Sequence, residues 1–372
     1  MCFKKKNKSP RPANRRHHIL DHPVLSVFLL DLLYIVLSGV VQVALAPSSG
    51  SMEEMTDFSS AVQASLNENP LLYLAQILAA VLMLLLFKFW FRKDKNHFTF
   101  KVEQGKIREG FLLGLPLLTT AVLNLVGGEL VNSPKMIAFA LLMGFTPGLC
   151  EEVTNRILPV ANFMRLWRDP KKIPAVITIT GAVFGLIHLT NLLVGADPVL
   201  TILQVLFAFG AGALFAAVYL RTGSMLGIVF YHTVIDFTAF LNASLYQTGG
   251  VMTAAAETVT WEVVLFELGR GLLFAAFAYF YVRPKKRAEI LRVWDAKWNR
   301  TAADDEPELS EGEPILAGAS SAEPAGACTK PVKTAESVIN DASAEPENGA
   351  ACVETAGPVA APASAETKNP EQ

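Results

Sequence analysis

Long apolar runs separated by short charged breaks fill the chain from Val24 to Val282. Eight can be marked: Val24–Ala46, Leu71–Phe91, Phe111–Val126, Lys135 to about Trp167, Ile173–Val194, Pro198–Leu220, Ser224–Tyr246 and Trp261–Val282. A helix needs about 20 apolar residues to cross a bilayer core. The pattern therefore predicts an all-α fold, a polytopic membrane helix bundle of about eight transmembrane helices. The fourth run is over-long, so part of it should tilt or emerge from the membrane. In the sixth, Ala208, Gly212 and Ala216 recur every four residues, a small-residue face suited to close helix packing.

Charge orients this bundle. Met1–His18 carries seven Lys and Arg and no acid. Basic residues recur at 92–108, at Arg165–Lys172 and at Arg283–Arg287, whereas 46–70 is acidic. Loops rich in Lys and Arg stay inside, so both termini are expected to be cytoplasmic, in a bacterial plasma membrane. The basic start and Ala44-Leu45-Ala46 mimic a secretory signal, but the first run is longer than the ~7–15 residues of a signal core and reads as an uncleaved helix. From Ala302 to Gln372, fourteen acids face three lysines, a net of −11. The rest of the chain is therefore +9 within a total of −2. Basic loops flanking apolar spans do not point to nucleic acid. The expected organisation is a basic cytoplasmic N-terminus (1–20), a membrane domain (21–287) and a cytoplasmic tail (288–372). A basic helical stub over Pro284–Arg300 should precede a disordered remainder too poor in apolar bulk to bury a core. The four cysteines have no metal-ligand spacing.

Ionisable residues inside the apolar runs are the candidates for chemistry, because each costs roughly 2.5–3.5 kcal/mol to insert. The fourth run contains GFTPGLCEEVTNR, Gly144–Arg156. Glu152 and Arg156 are four apart with the acid first, the better orientation for a helical ion pair. Glu151 lies about 100° round the helix, on the Asn155 side, and is left unpaired. An unpaired carboxylate in a dry site suits a general base. Pro147 should kink or interrupt the helix, so that the acids open a fresh half-helix. The fifth run carries His188. The seventh carries His232 and Asp236, one turn apart and able to share a water, a proton or a metal. Asp31 in the first run has no evident role. Glu267 and Arg270, in the eighth, are spaced to pair with each other.

Polar groups in a bilayer turn inward and meet, so the three motifs should converge with His188, His232 and Asp236 around Glu151. A glutamate, two imidazoles and an Asp around a water form a hydrolytic constellation. Glu151 would deprotonate the water, the histidines would steady the oxyanion or hold a metal, and Asp236 would orient the water. Absence of HExxH and GxSxG excludes zincins and common serine hydrolases. The residue types permit one divalent metal such as Zn on His188, His232, Glu151 and Asp236 without requiring it.

Together, EEVTNR (Glu151–Arg156), FGLIH (Phe184–His188) and HTVID (His232–Asp236) resemble, in order and spacing, the EExxxR, FxxxH and HxxxN/D motifs of the CPBP family. These are the CAAX-protease and bacteriocin-processing (ABI) intramembrane endopeptidases, of glutamic or metallo type. The resemblance spans about 135–243. It implies an eight-helix fold with a membrane cavity, cleavage of a peptide bond in a peptide or membrane-protein substrate, and Glu151 as base supported by Glu152 and Arg156. Asn155 and Ile157 depart from common family choices, and Asp236 replaces the Asn of the prenyl-protein processing branch, which leaves the substrate open. Two other classes compete: a transporter or proton relay, since Glu/His chains also serve pumps, and a catalytically silent immunity or scaffold protein.

Overall fold

The computed structural model describes residues 19–45, 70–94, 96–126, 129–247 and 259–301. The basic N-terminal arm, the acidic 46–69 segment and the tail beyond 301 lie outside the described residues, as do the expectations attached to them. Among the described residues the chain is helical, with one isolated bridge, Leu130 to Asn242.

Among the described residues, six helical rods are long and apolar enough to cross a membrane: Pro23–Leu45, Pro70–Trp90, Pro134–Leu166, Pro170–Leu193, Pro198–Thr222 and Trp261–Tyr281. This is an integral membrane bundle. The other two expected spans are helical but differ in form. The third breaks at Leu115-Pro116-Leu117 into α3 (Gln104–Gly114) and α4 (Leu118–Asn124), where Pro116 carries no amide donor. The seventh is α9 (Met225–Phe240), with only a short α10 (Ala243–Gln247) beyond it. The remaining helices are α1 (Pro23–Leu45), α2 (Pro70–Trp90), α5 (Pro134–Glu152), α6 (Leu158–Leu166), α7 (Ile173–Ile187), α8 (Pro198–Thr222), α11 (Trp261–Tyr281) and α12 (Pro284–Lys297).

The basic breaks meet at one end of the bundle. Arg165 pairs with Asp21 at 2.8 Å and Arg168 with Asp295 at 3.2 Å. Lys106 pairs with Glu289 at 2.6 Å, and Arg221 with Glu109. The opposite end is closed by backbone bonds from Val131 to Leu241 and from Ala243 to Glu129. Among the described residues, the basic breaks thus share one end, as the loop charges predict. Lys106 holds the Glu289 carboxyl well below its usual range, at about 2. Helix α12, expected as a basic stub, is anchored by two buried tryptophans. Trp294 donates to the Leu220 carbonyl at 3.0 Å and Trp298 to the Ala161 carbonyl at 3.1 Å.

The core lies where α5 packs on α9, and α8 on both α7 and α11. The first contact depends on two small residues. A Cβ at Gly144 would sit 2.7 Å from the Phe237 Cα, and one at Gly148 2.7 Å from the Thr233 backbone nitrogen. These contacts bring α9 against the acidic motif. Gly148→Ala must push the helices apart, and overpacking of this kind costs roughly 1–3 kcal/mol. A lower midpoint of thermal unfolding in detergent is the expected result. The expected small face of α8 is also used: Ala208 and Ala216 are buried, and Gly212 lies against Gly181 of α7.

Candidate active site

Helix α5 runs unbroken through Pro147 to Glu152, so the predicted interruption at the proline does not occur. The irregularity comes immediately after the acids. Val153–Ile157 forms a π-turn, in which the Leu158 amide donates to the Val153 carbonyl five residues back. Pro159, without an amide proton, cannot restore the ordinary ladder at the next step. Single π-turns are frequent at functional sites. This one carries Arg156 inward, with Glu152 in the preceding turn.

The two glutamates then separate as their spacing suggests. Glu152 and Arg156 form an ion pair at 3.3 Å, both side chains 0% exposed. The Glu151 side chain is 40% exposed, a large value beside a fully buried neighbour. Asn155 does not meet the Glu151 carboxylate: its amide donates to the Glu151 backbone carbonyl at 3.1 Å and to Thr154 Oγ1 at 3.0 Å. A side chain placed one turn on finds the nearer, fixed acceptor.

His232, in the middle of α9, joins the motifs. Its Nδ1 lies 2.7 Å from Glu152 Oε1. A carboxylate only accepts, so Nδ1 carries the proton and the ring is held in one orientation. Its Nε2 then points toward Glu151 Oε2 at 3.7 Å and Asp236 Oδ2 at 3.5 Å. Phe215 of α8 stacks on the ring at 5.2 Å between centroids and an interplanar angle of 22°. Phe184 of α7 meets it edge-on at 5.9 Å.

His188 ends α7, where the helix tightens into a 3₁₀ turn over His188–Val194. Its Nδ1 is 2.8 Å from the Phe184 carbonyl, which leaves Nε2 as the free nitrogen. Glu151 and His232 are close enough for their charges to act on it. Phe184 links the two histidines and carries the Arg156 guanidinium on its face, 3.6 Å from the ring centroid. A Cβ at Gly212 would lie 3.3 Å from Arg156 Nη2 and 3.0 Å from Phe184 Cδ1. Glycine there makes room for both.

The site thus joins four helices and the π-turn. Glu151, Glu152, Arg156, His232 and Asp236 form one cluster, with His188 at its edge. Two contributors had no usable signal in the sequence. Phe215 is one aromatic among many in an apolar run. Asp31 was noticeable but unexplained. Its carboxylate is close enough to Thr154 in the π-turn and to Arg156 to be influenced by both. Among the described residues, no group of three or more His, Cys, Asp or Glu side chains is arranged to hold a metal ion. His188, His232, Glu151 and Asp236 are the residues that would supply ligands to a divalent metal.

Fold and site together define an α-helical integral membrane protein with a carboxylate–imidazole cluster built between its helices. Residues 133–238 match the family model described as Type II CAAX prenyl endopeptidase Rce1-like. That span contains all three motifs and bears out the resemblance to CPBP intramembrane endopeptidases. Comparison with curated proteins and with solved structures returns no match.

Proposed function

We propose that the protein is an intramembrane endopeptidase that hydrolyses a peptide bond with a water activated by Glu151. The observation that carries this reading is the arrangement around His232: a buried carboxylate fixes one ring nitrogen, while the other faces a half-exposed carboxylate and a second acid at 3.5–3.7 Å. Such separations are too long for direct hydrogen bonds and suit groups that share a water. Several buried polar atoms nearby also lack a hydrogen-bond partner, among them Glu152 Oε2, Asn155 Oδ1 and the Arg156 guanidinium nitrogens, which are held by the ion pair with Glu152 and the face of Phe184.

In this reading Glu151 takes a proton from the water as its oxygen attacks the scissile carbonyl carbon. His232, doubly protonated, donates from Nε2 to the resulting oxyanion, and His188, its Nδ1 proton taken by the Phe184 carbonyl, accepts at Nε2 and helps orient the water or substrate. Asp236 holds the water and the His232 ring in register. Collapse breaks the C–N bond, and the proton on Glu151 passes to the departing amine. Glu152 and Arg156 touch no reacting atom and position His232 and the π-turn. The end that gathers the basic loops is the cytoplasmic one, and the substrate is a peptide held at the membrane. A C-terminal prenylated CAAX segment is the class that the matched family's description suggests.

The test is cleavage of a farnesylated CAAX peptide and its unprenylated counterpart by the purified chain in detergent, followed by mass spectrometry. Cleavage by the parent that falls at least a hundredfold in His188→Ala is expected, since positioned acid–base groups contribute about 10²–10⁴. Equal cleavage by parent and variant would remove His188 from the reaction. Proton-coupled transport in liposomes without cleavage would favour the relay reading.

A further inference from the structure

At the basic end of the bundle, α12 crosses beside the 97–106 segment and the end of α2. Between them lies a cavity of about 950 Å³, lined by Lys88, Lys101, Arg292 and Lys297 together with Glu103 and Glu289. None of its lining residues belongs to the catalytic cluster.

Lys297 is the unusual member. It is 4% exposed, and its ammonium donates to the carbonyls of Thr99 at 3.3 Å and Lys101 at 3.4 Å. Among the described residues it has no carboxylate partner. Glu289, the acid that could have served it, is taken by Lys106 at 2.6 Å and Lys286 at 3.2 Å. Lys88, Lys101 and Arg292 also lack an ion-pair partner among the described residues. A buried ammonium held by two long carbonyl bonds and the Phe98 ring at 5.5 Å, with no countercharge among the described residues, is poorly compensated, and burial pushes Lys297 down to about 8.

An anion of matching size would supply the missing charge. Two observations favour phosphate. The cavity is lined by several cations from different elements, Lys88, Lys101, Arg292 and Lys297, which suits a multi-oxygen anion. Its lining residue Lys88 also sits on the last turn of α2, which carries Phe89 and Trp90, exposed at 56% and 53%. Exposed aromatics at the end of a membrane helix mark the headgroup level, where basic pockets between helices take anionic headgroups.

We propose that this cavity is a phosphate-binding site, anchored by Lys297 and entered past Lys101 and Arg292. The phosphate is carried by an anionic lipid headgroup or arrives as free phosphate. Such a ligand would tie α12 to α2 and the 97–106 segment, and so brace the basic end of the bundle independently of any peptidase activity.

The experiment is calorimetric titration of the full chain in non-ionic detergent with three probes: dioctanoyl phosphatidylglycerol, dioctanoyl phosphatidylcholine and inorganic phosphate. Saturable binding of phosphatidylglycerol or inorganic phosphate, with little binding of the zwitterionic lipid, is expected. The tighter of the two binders identifies the source. Lys297→Met should weaken binding roughly tenfold or more, the size of one lost charge-assisted hydrogen bond, and Lys297→Arg should retain it. Should Lys297→Met fail to fold, the exposed pair Lys101→Gln/Arg292→Gln supplies the same comparison. Binding of neither anionic probe overturns the proposal. So does equal binding of both lipids, or an affinity unchanged in Lys297→Met and in the double variant.

Discussion

Glu151→Gln is expected to lower kcat for peptide cleavage by about 10³-fold, within the 10²–10⁴ that a positioned general base supplies, and to leave the fold intact. Gln has the shape of Glu but cannot accept the water's proton. The side chain is 40% exposed and is not part of the Glu152–Arg156 pair. Its unfolding midpoint should therefore stay close to the parent's, as surface substitutions usually fall within about 0.5 kcal/mol. Glu152→Gln provides the contrast. That carboxylate is fully buried, accepts from His232 Nδ1 and pairs with Arg156. Its loss should reduce stability as well as activity. Steady-state kinetics and thermal unfolding of both variants separate a chemical role from a positioning one. Equal activity losses with equal destabilisation would assign both acids to structure.

Arg156→Met should produce the largest loss of stability, about 3–5 kcal/mol, the usual result of removing one partner from a buried pair. The remaining Glu152 carboxylate would keep His232 but lose the guanidinium 3.3 Å away. The face of Phe184 would lose its cation as well. Glu152→Gln/Arg156→Met removes both charges and should recover part of the loss, so a double-mutant cycle should return a favourable coupling of roughly 1–3 kcal/mol. Additive losses would mean that the two side chains do not act together. Because the pair orients His232, activity should stay low in the double variant even where stability returns.

The positions of these charges were largely legible in the sequence, since a local rule governs them. The i,i+4 spacing of Glu152 and Arg156 foretold their pair. The i,i+3 spacing of Glu267 and Arg270 foretold another, found at 2.6 Å. Apolar length and loop charge gave the helical bundle and the common end of the basic breaks. What escaped the sequence depends on contacts between distant segments. Pro147 looked like the breaking point, yet the helix absorbs it, and the ladder slips at Val153–Ile157 instead. His232 was expected to act with Asp236 on its own helix. Its shortest bond instead goes to Glu152, eighty positions earlier. Gly144 and Gly148 carry no pattern that distinguishes them until α9 lies against them. Lys297 read as one more basic residue in a stub, and only the packing of α12 buries it.

In the proposed reaction a water, and not the enzyme's own carboxylate, attacks the peptide carbonyl. A single turnover with enzyme in excess, run in ¹⁸O-enriched water and read by mass spectrometry of the product, tests this directly. The new carboxyl terminus should carry one ¹⁸O atom from the first turnover, with none in Glu151. Product without ¹⁸O, or label appearing in Glu151, would show that the glutamate is a nucleophile and contradict the mechanism.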